Sequence, residues 1–294
     1  MSAPEFARLR WCGRDVRVEV RWIAPEATAA PLVVFLHEGL GSVSMWRDFP
    51  ERLCAAARCR GLVYSRPGYG RSTPRARHEH WQPDFMHRQA HEVLPALFEA
   101  LGIDTAADPP WLLGHSDGGT IALLYAARFV RRCAGVIALA PHILAEAYGL
   151  ASIRRARVAY LEGDLRQRLA RHHADPDSAF WGWNDVWLDP RFERWSIEDE
   201  IAPIRCPVLA VQGLDDEYGT LEQVRGIARR VPQTRVLELP ACGHSAHRDQ
   251  PEAVIAASVA MLTEAAAAAA AAAATAHAAP DASGPAPSGR ARAA

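Results

Sequence analysis

No lysine occurs anywhere in the 294 residues, so all 33 basic side chains are arginine. That absence excludes Schiff-base chemistry, a Ser-Lys dyad and the lysine-dependent phosphate loop. Alanine is in great excess alongside it, so the bias reads as codon composition and carries no function of its own. Cysteine is sparse and unpaired: Cys12, Cys54, Cys59, Cys133, Cys206 and Cys242 include no CxxC spacing. They read as reduced thiols of a cytosolic protein, several of them in core-like surroundings, and not as a disulfide framework. A secretory leader is not expected either, because MSAPEFARLRWCGRD carries charges where a signal peptide needs an apolar run. The expected location is therefore cytoplasmic. The one membrane-like window runs from Val254 into a stretch of alanines, where Glu264 interrupts it. Alanine offers little apolar area, so no span and no membrane partner are expected.

Charge imbalance is missing as well. A net charge of −1 and the lack of a basic stripe give no pull toward nucleic acid. The expected partner is a small molecule. A homo-oligomer is compatible with the sequence, which contains nothing that fixes the oligomeric state. With 49% hydrophobic and 23% charged residues, the chain can bury one substantial core with room for a smaller insertion.

What is present is an alternation of strand-like and helix-like segments, the signature of a mostly parallel sheet with helices on both faces, an α/β fold. DVRVEVRWI (15–23) alternates polar and apolar residues, as in an antiparallel edge pair. PLVVFLH (31–37), GLVYS (61–65), WLLG (111–114), GVIALA (135–140), VLAVQG (208–213) and RVLELP (235–240) read as further strands. Helical patterns fall at MWRDFPERLCAAA, from an Asp84 cap to Leu101, at TIALLYAARFV, from Thr220 to Val231, and from about Pro251. The alternation breaks between Pro141 and Pro203, a stretch rich in arginine and tryptophan. The expected organisation is a core of residues 1–141 and 203–264, a helical insertion over 142–202, and a tail over 265–294. That tail begins with ten alanines, which can prolong the last helix, and then turns Ala/Pro-rich and is expected to be disordered.

The most informative stretch is Gly114-His115-Ser116-Asp117-Gly118, between a strand and a helix. A serine nucleophile on such a turn takes a strained conformation, and its neighbours two residues away must be small. The turn aims the backbone N–H of Asp117 at a developing oxyanion. A serine hydroxyl needs a base, and the base needs an orienting acid. Around this turn the acid and then the base follow in chain order. LDDEYG offers Asp215, Asp216 and Glu217, and ACGHSAHRDQPE offers His244.

With LHEGLGSVSMW, SRPGYGRS, GHSDGG, VQGLDDEYG and ACGHSAHRDQPE in place, the chain resembles the α/β-hydrolase superfamily over roughly residues 14 to 264. The resemblance implies Ser116, Asp216 and His244 as the triad, since relatives carry the acid as Gly-x-x-Asp and the base as Gly-His before a Pro-Glu helix start. It implies a second oxyanion amide after the third strand, at Gly39 or Leu40, where His37-Glu38-Gly39 departs from the usual His-Gly. The nearest style is the cofactor-free bacterial group with a small helical cap, which includes small esterases and carbon–carbon bond hydrolases of aromatic degradation. Dehalogenase and epoxide-hydrolase activities are disfavoured, because that chemistry uses a carboxylate at the turn and this chain has serine.

The expected function is a metal-free, cofactor-free serine hydrolase of a small ester or thioester. The alternatives are a carbon–carbon bond hydrolase and a non-catalytic receptor on the same fold. Trp181, Trp183 and Trp187 are candidates for the substrate pocket, or simply for the insertion's own core, as is Trp195. Arg154, Arg155 and Arg157 can receive a carboxylate or face solvent. His37 reads as a buried turn-maker, and Glu38 as structural or pocket-facing. His87 and His91 read as a solvated face, since no third metal ligand is near. His247 is assigned to a surface loop, with substrate contact as the other option.

Overall fold

The structure is a computed structural model that describes residues 5–278, with side chains through residue 272. It begins with a hairpin, β1 (Glu5–Trp11) and β2 (Arg14–Ile23), joined at Cys12-Gly13. Both turn residues have positive φ (51° and 72°), the mirror-image turn whose twist matches that of paired strands. Along β2, Val16, Val18 and Val20 point inward, as the alternation requires.

Then come β3 (Leu32–Leu36), α1 (Phe49–Ala57), β4 (Arg60–Tyr64), α2 (Phe85–Arg88), α3 (Leu94–Ala100), β5 (Trp111–His115), α4 (Asp117–Arg128) and β6 (Gly135–Leu139). Two later strands, β7 (Val208–Gly213) and β8 (Thr234–Leu239), complete the sheet. Its eight strands have the order β1-β2-β4-β3-β5-β6-β7-β8, antiparallel at β1/β2 and β2/β4 and parallel elsewhere. Every residue of β3, β5, β6 and β7 is buried. Continuous apolar runs are what strands covered on both faces need. Successive residues feed opposite cores: Val34 and Leu36 meet the layer holding Phe98 and Ile121, whereas Val33 and Phe35 meet the layer holding Leu53 and Val254.

Between β6 and β7 lie α5 (Ala147–Glu162), α6 (Leu165–Leu169), α7 (Pro176–Trp187) and a tight turn at Pro190–Arg194. Asp175 accepts a hydrogen bond from Ser178 N–H at 2.9 Å, and Pro176 fills the first position of α7, a complete start signal. The expected Asp84 cap differs. Asp84 precedes α2 but makes no capping hydrogen bond, and a wide turn over Gln89–Val93 separates α2 from α3.

After β7 come α8 (Glu222–Arg230), the short α9 (Ala246–Asp249) and α10 (Pro251–Ala278). The alanine run continues α10 instead of opening a disordered tail at residue 265, consistent with alanine's helix propensity. Residues 279–294 of that expected tail lie outside the described residues. Over Pro251–Ala272, α10 is long and apolar enough to cross a membrane by length and composition. Its Val254, Ile255, Met261 and Leu262 nevertheless pack into the core beside α1.

Candidate active site

β5 delivers Ser116 to the carboxyl edge of the sheet, where open α/β sheets gather their ligands. Ser116 has φ 53° and ψ −122°, a region that side chains avoid, and α4 starts at the next residue. Its N–H is held by the Leu139 carbonyl at 2.8 Å. The flanking glycines are there for clearance. A Cβ on Gly114 would strike the Gly118 carbonyl, and one on Gly118 would strike the Leu36 carbonyl. Gly118→Ala is therefore expected to destabilise by at least the upper end of the about 1–3 kcal/mol typical of overpacking, because backbone cannot move aside. A denaturation midpoint equal to that of the parent chain would contradict this.

The loop that carries Asp216 follows β7. Both carboxylate oxygens of Asp216 lie 2.9 Å from His244 Nδ1. Oδ1 also accepts from the Tyr218 N–H at 2.8 Å, and Oδ2 accepts from Gln212 Nε2 at 2.8 Å. Burial pushes the Asp216 carboxyl up. The bond from His244, its charge and the Tyr218 amide outweigh this and hold it below the ordinary range. Asp215 is exposed, and Glu217 accepts from the His244 N–H at 3.2 Å, which ties the two loops together. The loop carrying His244 is tied back to the strand that ends at Ser116, since His115 Nε2 lies 2.9 Å from the His244 carbonyl and donates to it.

Ser116, Asp117, Gly39, Leu40 and His244 line one cavity of about 160 Å³, and Asp216 reaches it through His244. No hydrogen bond joins Ser116 to His244 among the described residues. Such bonds are often long before substrate binds. The Asp117 amide, first in α4, has no partner within its helix. Gly39 is a glycine because the Trp183 indole lies against it, where a Cβ would collide. A larger hollow, about 980 Å³, lies beside Arg17, Arg21 and His172 and contains none of these groups.

Of the three tryptophans, Trp183 and Trp187 line the cavity and Trp181 does not. Positions 183 and 187 share one face of α7, whereas 181 is turned about 200° from 183. Trp181 packs edge-on against Tyr160 and Phe180, with the Arg157 guanidinium 5.2 Å above its ring. Trp195 stacks on Phe192 at 4.9 Å. Arg154, Arg155 and Arg157 are exposed and outside the cavity. His247 is neither on the surface nor in the cavity. It is buried, with ring centroids 4.9 Å from Trp46 and 4.7 Å from His115. His87 pairs with Glu200 at 3.0 Å, with the His91 ring 5.9 Å away. His37 is buried and bonded on both nitrogens, donating to the Glu38 carbonyl (2.7 Å) and accepting from the Arg66 N–H (2.9 Å). Burial, seconded by Arg66, keeps it neutral, well below its ordinary pKa.

Glu38 faces the cavity, between His115 Nδ1 (3.5 Å) and Arg248 Nη2 (3.4 Å). Burial alone would raise its pKa, but these neighbours hold it well below the carboxylate range. Two further participants, Arg66 and His142, carry no sequence signal of their own. Arg66 is fully buried, 3.5 Å from Asp117 Oδ2, and donates to the Glu38 carbonyl at 2.8 Å. Trp187 Nε1 donates to Asp117 Oδ1 at 3.2 Å. Burial raises the Asp117 pKa, and Arg66 and Trp187 oppose the rise. His142, just past β6, lines the cavity with its ring centroid 5.8 Å from that of His244.

A model of the alpha/beta hydrolase family matches residues 33–257. The chain belongs to that family. A 2-hydroxy-6-oxo-6-phenylhexa-2,4-dienoate hydrolase of Burkholderia cepacia is 23% identical over 255 residues, covering 78% of this chain and 86% of that protein. Among solved structures, a thermophilic esterase from Thermogutta terrifontis superposes with a TM-score of 0.70 at 20% identity, covering 90% of this hydrolase-family chain and 99% of its own. A meta-cleavage product hydrolase from Pseudomonas fluorescens superposes with a TM-score of 0.66 at 15% identity, covering 88% and 97%. These likenesses establish the hydrolase fold.

Proposed function

We propose that the protein is a cofactor-free serine hydrolase of small esters or thioesters. The observation that carries the reading is the Asp216–His244 pair, at 2.9 Å, beside a strained Ser116 in one cavity. His244 takes the proton of Ser116 as Oγ attacks the substrate carbonyl, and Asp216 stabilises the resulting imidazolium. The Asp117 amide and the Gly39 amide, with Leu40 as the other candidate, hold the oxyanion. His244 then protonates the leaving group, and water releases the acyl group by the reverse proton path. The helical insertion acts as a cap whose Trp183 and Trp187 exclude water.

The cavity, about 160 Å³, is smaller than the roughly 300–1,000 Å³ of pockets for drug-sized ligands, which favours a short acyl chain. A carbon–carbon bond hydrolase is the second reading, favoured by the relative from Burkholderia cepacia. The lining acids Glu38 and Glu217 disfavour an acidic substrate. A panel of short aryl esters against vinylogous diketo acids, with fluorophosphonate labelling of Ser116, is the test. Labelling with turnover of aryl esters is expected. An unlabelled Ser116 would point to a receptor on this fold.

A further inference from the structure

Imidazoles crowd the region of the nucleophile, and nearly all have visible employment. Both nitrogens of His37 are bonded, and so are those of His173, to the Gly70 N–H and the Leu40 carbonyl. His115 ties down the base loop, and His247, whose ring nitrogens lack a hydrogen-bond partner among the described residues, is sealed beneath Trp46 and Phe49. His142 differs. It is 6% exposed, and its ring nitrogens have no hydrogen-bond partner among the described residues. They are not sealed in protein either, and the ring forms part of the cavity wall.

The ring is also held in place. Thr120 Oγ1 accepts from the His142 N–H at 3.0 Å and donates to its carbonyl at 2.7 Å. The next amide, Ile143 N–H, donates to Gln223 Oε1 at 2.7 Å, and the Trp187 ring meets the imidazole edge-on at 5.0 Å. A buried polar group aimed into a binding cavity without a partner is costly unless a ligand or water completes it.

We propose that His142 is a substrate-binding residue that recognises an uncharged hydroxyl on a short ester. The inference rests on the serine-hydrolase reading above and deepens it. Burial, followed by the nearby His244, pushes the His142 pKa down to about 3, so the ring is neutral, one nitrogen donating and the other accepting. A hydroxyl is the group that can answer both. A carboxylate is disfavoured by Glu38, Asp117 and Glu217, the charged side chains of the wall, with no arginine among them. An ammonium would be drawn to Glu38, but Arg248 and His115 already face that carboxylate.

The hydroxyl can sit on the acyl or on the alcohol side of the ester, and two substrate pairs separate these. One pair is aryl 3-hydroxybutyrate against aryl butyrate. The other is ethylene glycol monobutyrate against propyl butyrate. The wild-type chain is expected to favour the hydroxylated member of one pair by about 10- to 100-fold in kcat/KM. His142→Leu should bring that ratio to about one. His142→Asn, which keeps a donor and an acceptor, should restore part of it, chiefly through KM. Thermal melts of both variants report the fold. A wild-type ratio near one in both pairs overturns the proposal even if the Leu variant does not fold, and so does a ratio that survives in a folded Leu variant. Failure of the serine-hydrolase reading looks different: the wild type would neither label with fluorophosphonate nor cleave either plain ester.

Discussion

Ser116→Ala is expected to lower the turnover of a short aryl ester by about 10⁴- to 10⁶-fold while leaving the fold intact. The oxygen removed has no hydrogen-bond partner among the described residues, and the turn is shaped by Gly114, Gly118 and the Leu139 carbonyl, not by the hydroxyl. Alanine at φ 53° carries no more strain than serine, so the thermal midpoint should shift by no more than a few degrees. Fluorophosphonate labelling should vanish with the activity. Ester turnover within tenfold of the parent would remove Ser116 from the chemistry.

Asp216→Asn should cost about 10⁴-fold in kcat, by a different route. Asparagine brings one oxygen and one NH₂. Tyr218 and Gly219 donate from their backbone toward Oδ1, so the oxygen is held there. The NH₂ then meets the Gln212 amide, which donates to Oδ2 in the parent. His244 keeps a hydrogen-bond partner but loses the negative charge that stabilises its cation. The expected signature is a collapse of kcat with little change in KM, measured on an aryl ester. A loss of under tenfold would make Asp216 a brace for the loop and no more.

The parts legible in the sequence were those with a short-range physical rule behind them. Strands covered on both faces must be apolar throughout, which exposes β3, β5, β6 and β7. A half-covered strand must alternate, as β2 does. The partner strand β1 follows the same rule in EFARLRW, yet three of its residues are charged, which hides it. Ser116 is legible because clearance around it demands small neighbours. Asp216 and His244 depend on their order after it and on the family's spacing.

What stayed hidden depends on surroundings and not on spacing. Trp181 looks like Trp183 in a list of aromatics, and only the helix phase separates them. The i, i+4 interval between Trp183 and Trp187 contains that phase once the helix is granted. His247 follows His244 closely and yet lies under aromatic rings. Arg66 carries no mark of being the largest fully buried side chain, and nothing local tells His142 from any other loop histidine.

The groups around Ser116 come from two separable sources. Ser116, Asp216, His244 and the strap from His115 all hang on the ends of core strands. Trp183 and Trp187 arrive on one face of a single inserted helix, α7. The aromatic roof and the proposed proton-transfer groups are thus mounted on different chassis, joined at the cavity by the bond from Trp187 to Asp117. A lineage could refit the roof to admit a new guest without retuning the engine beneath it.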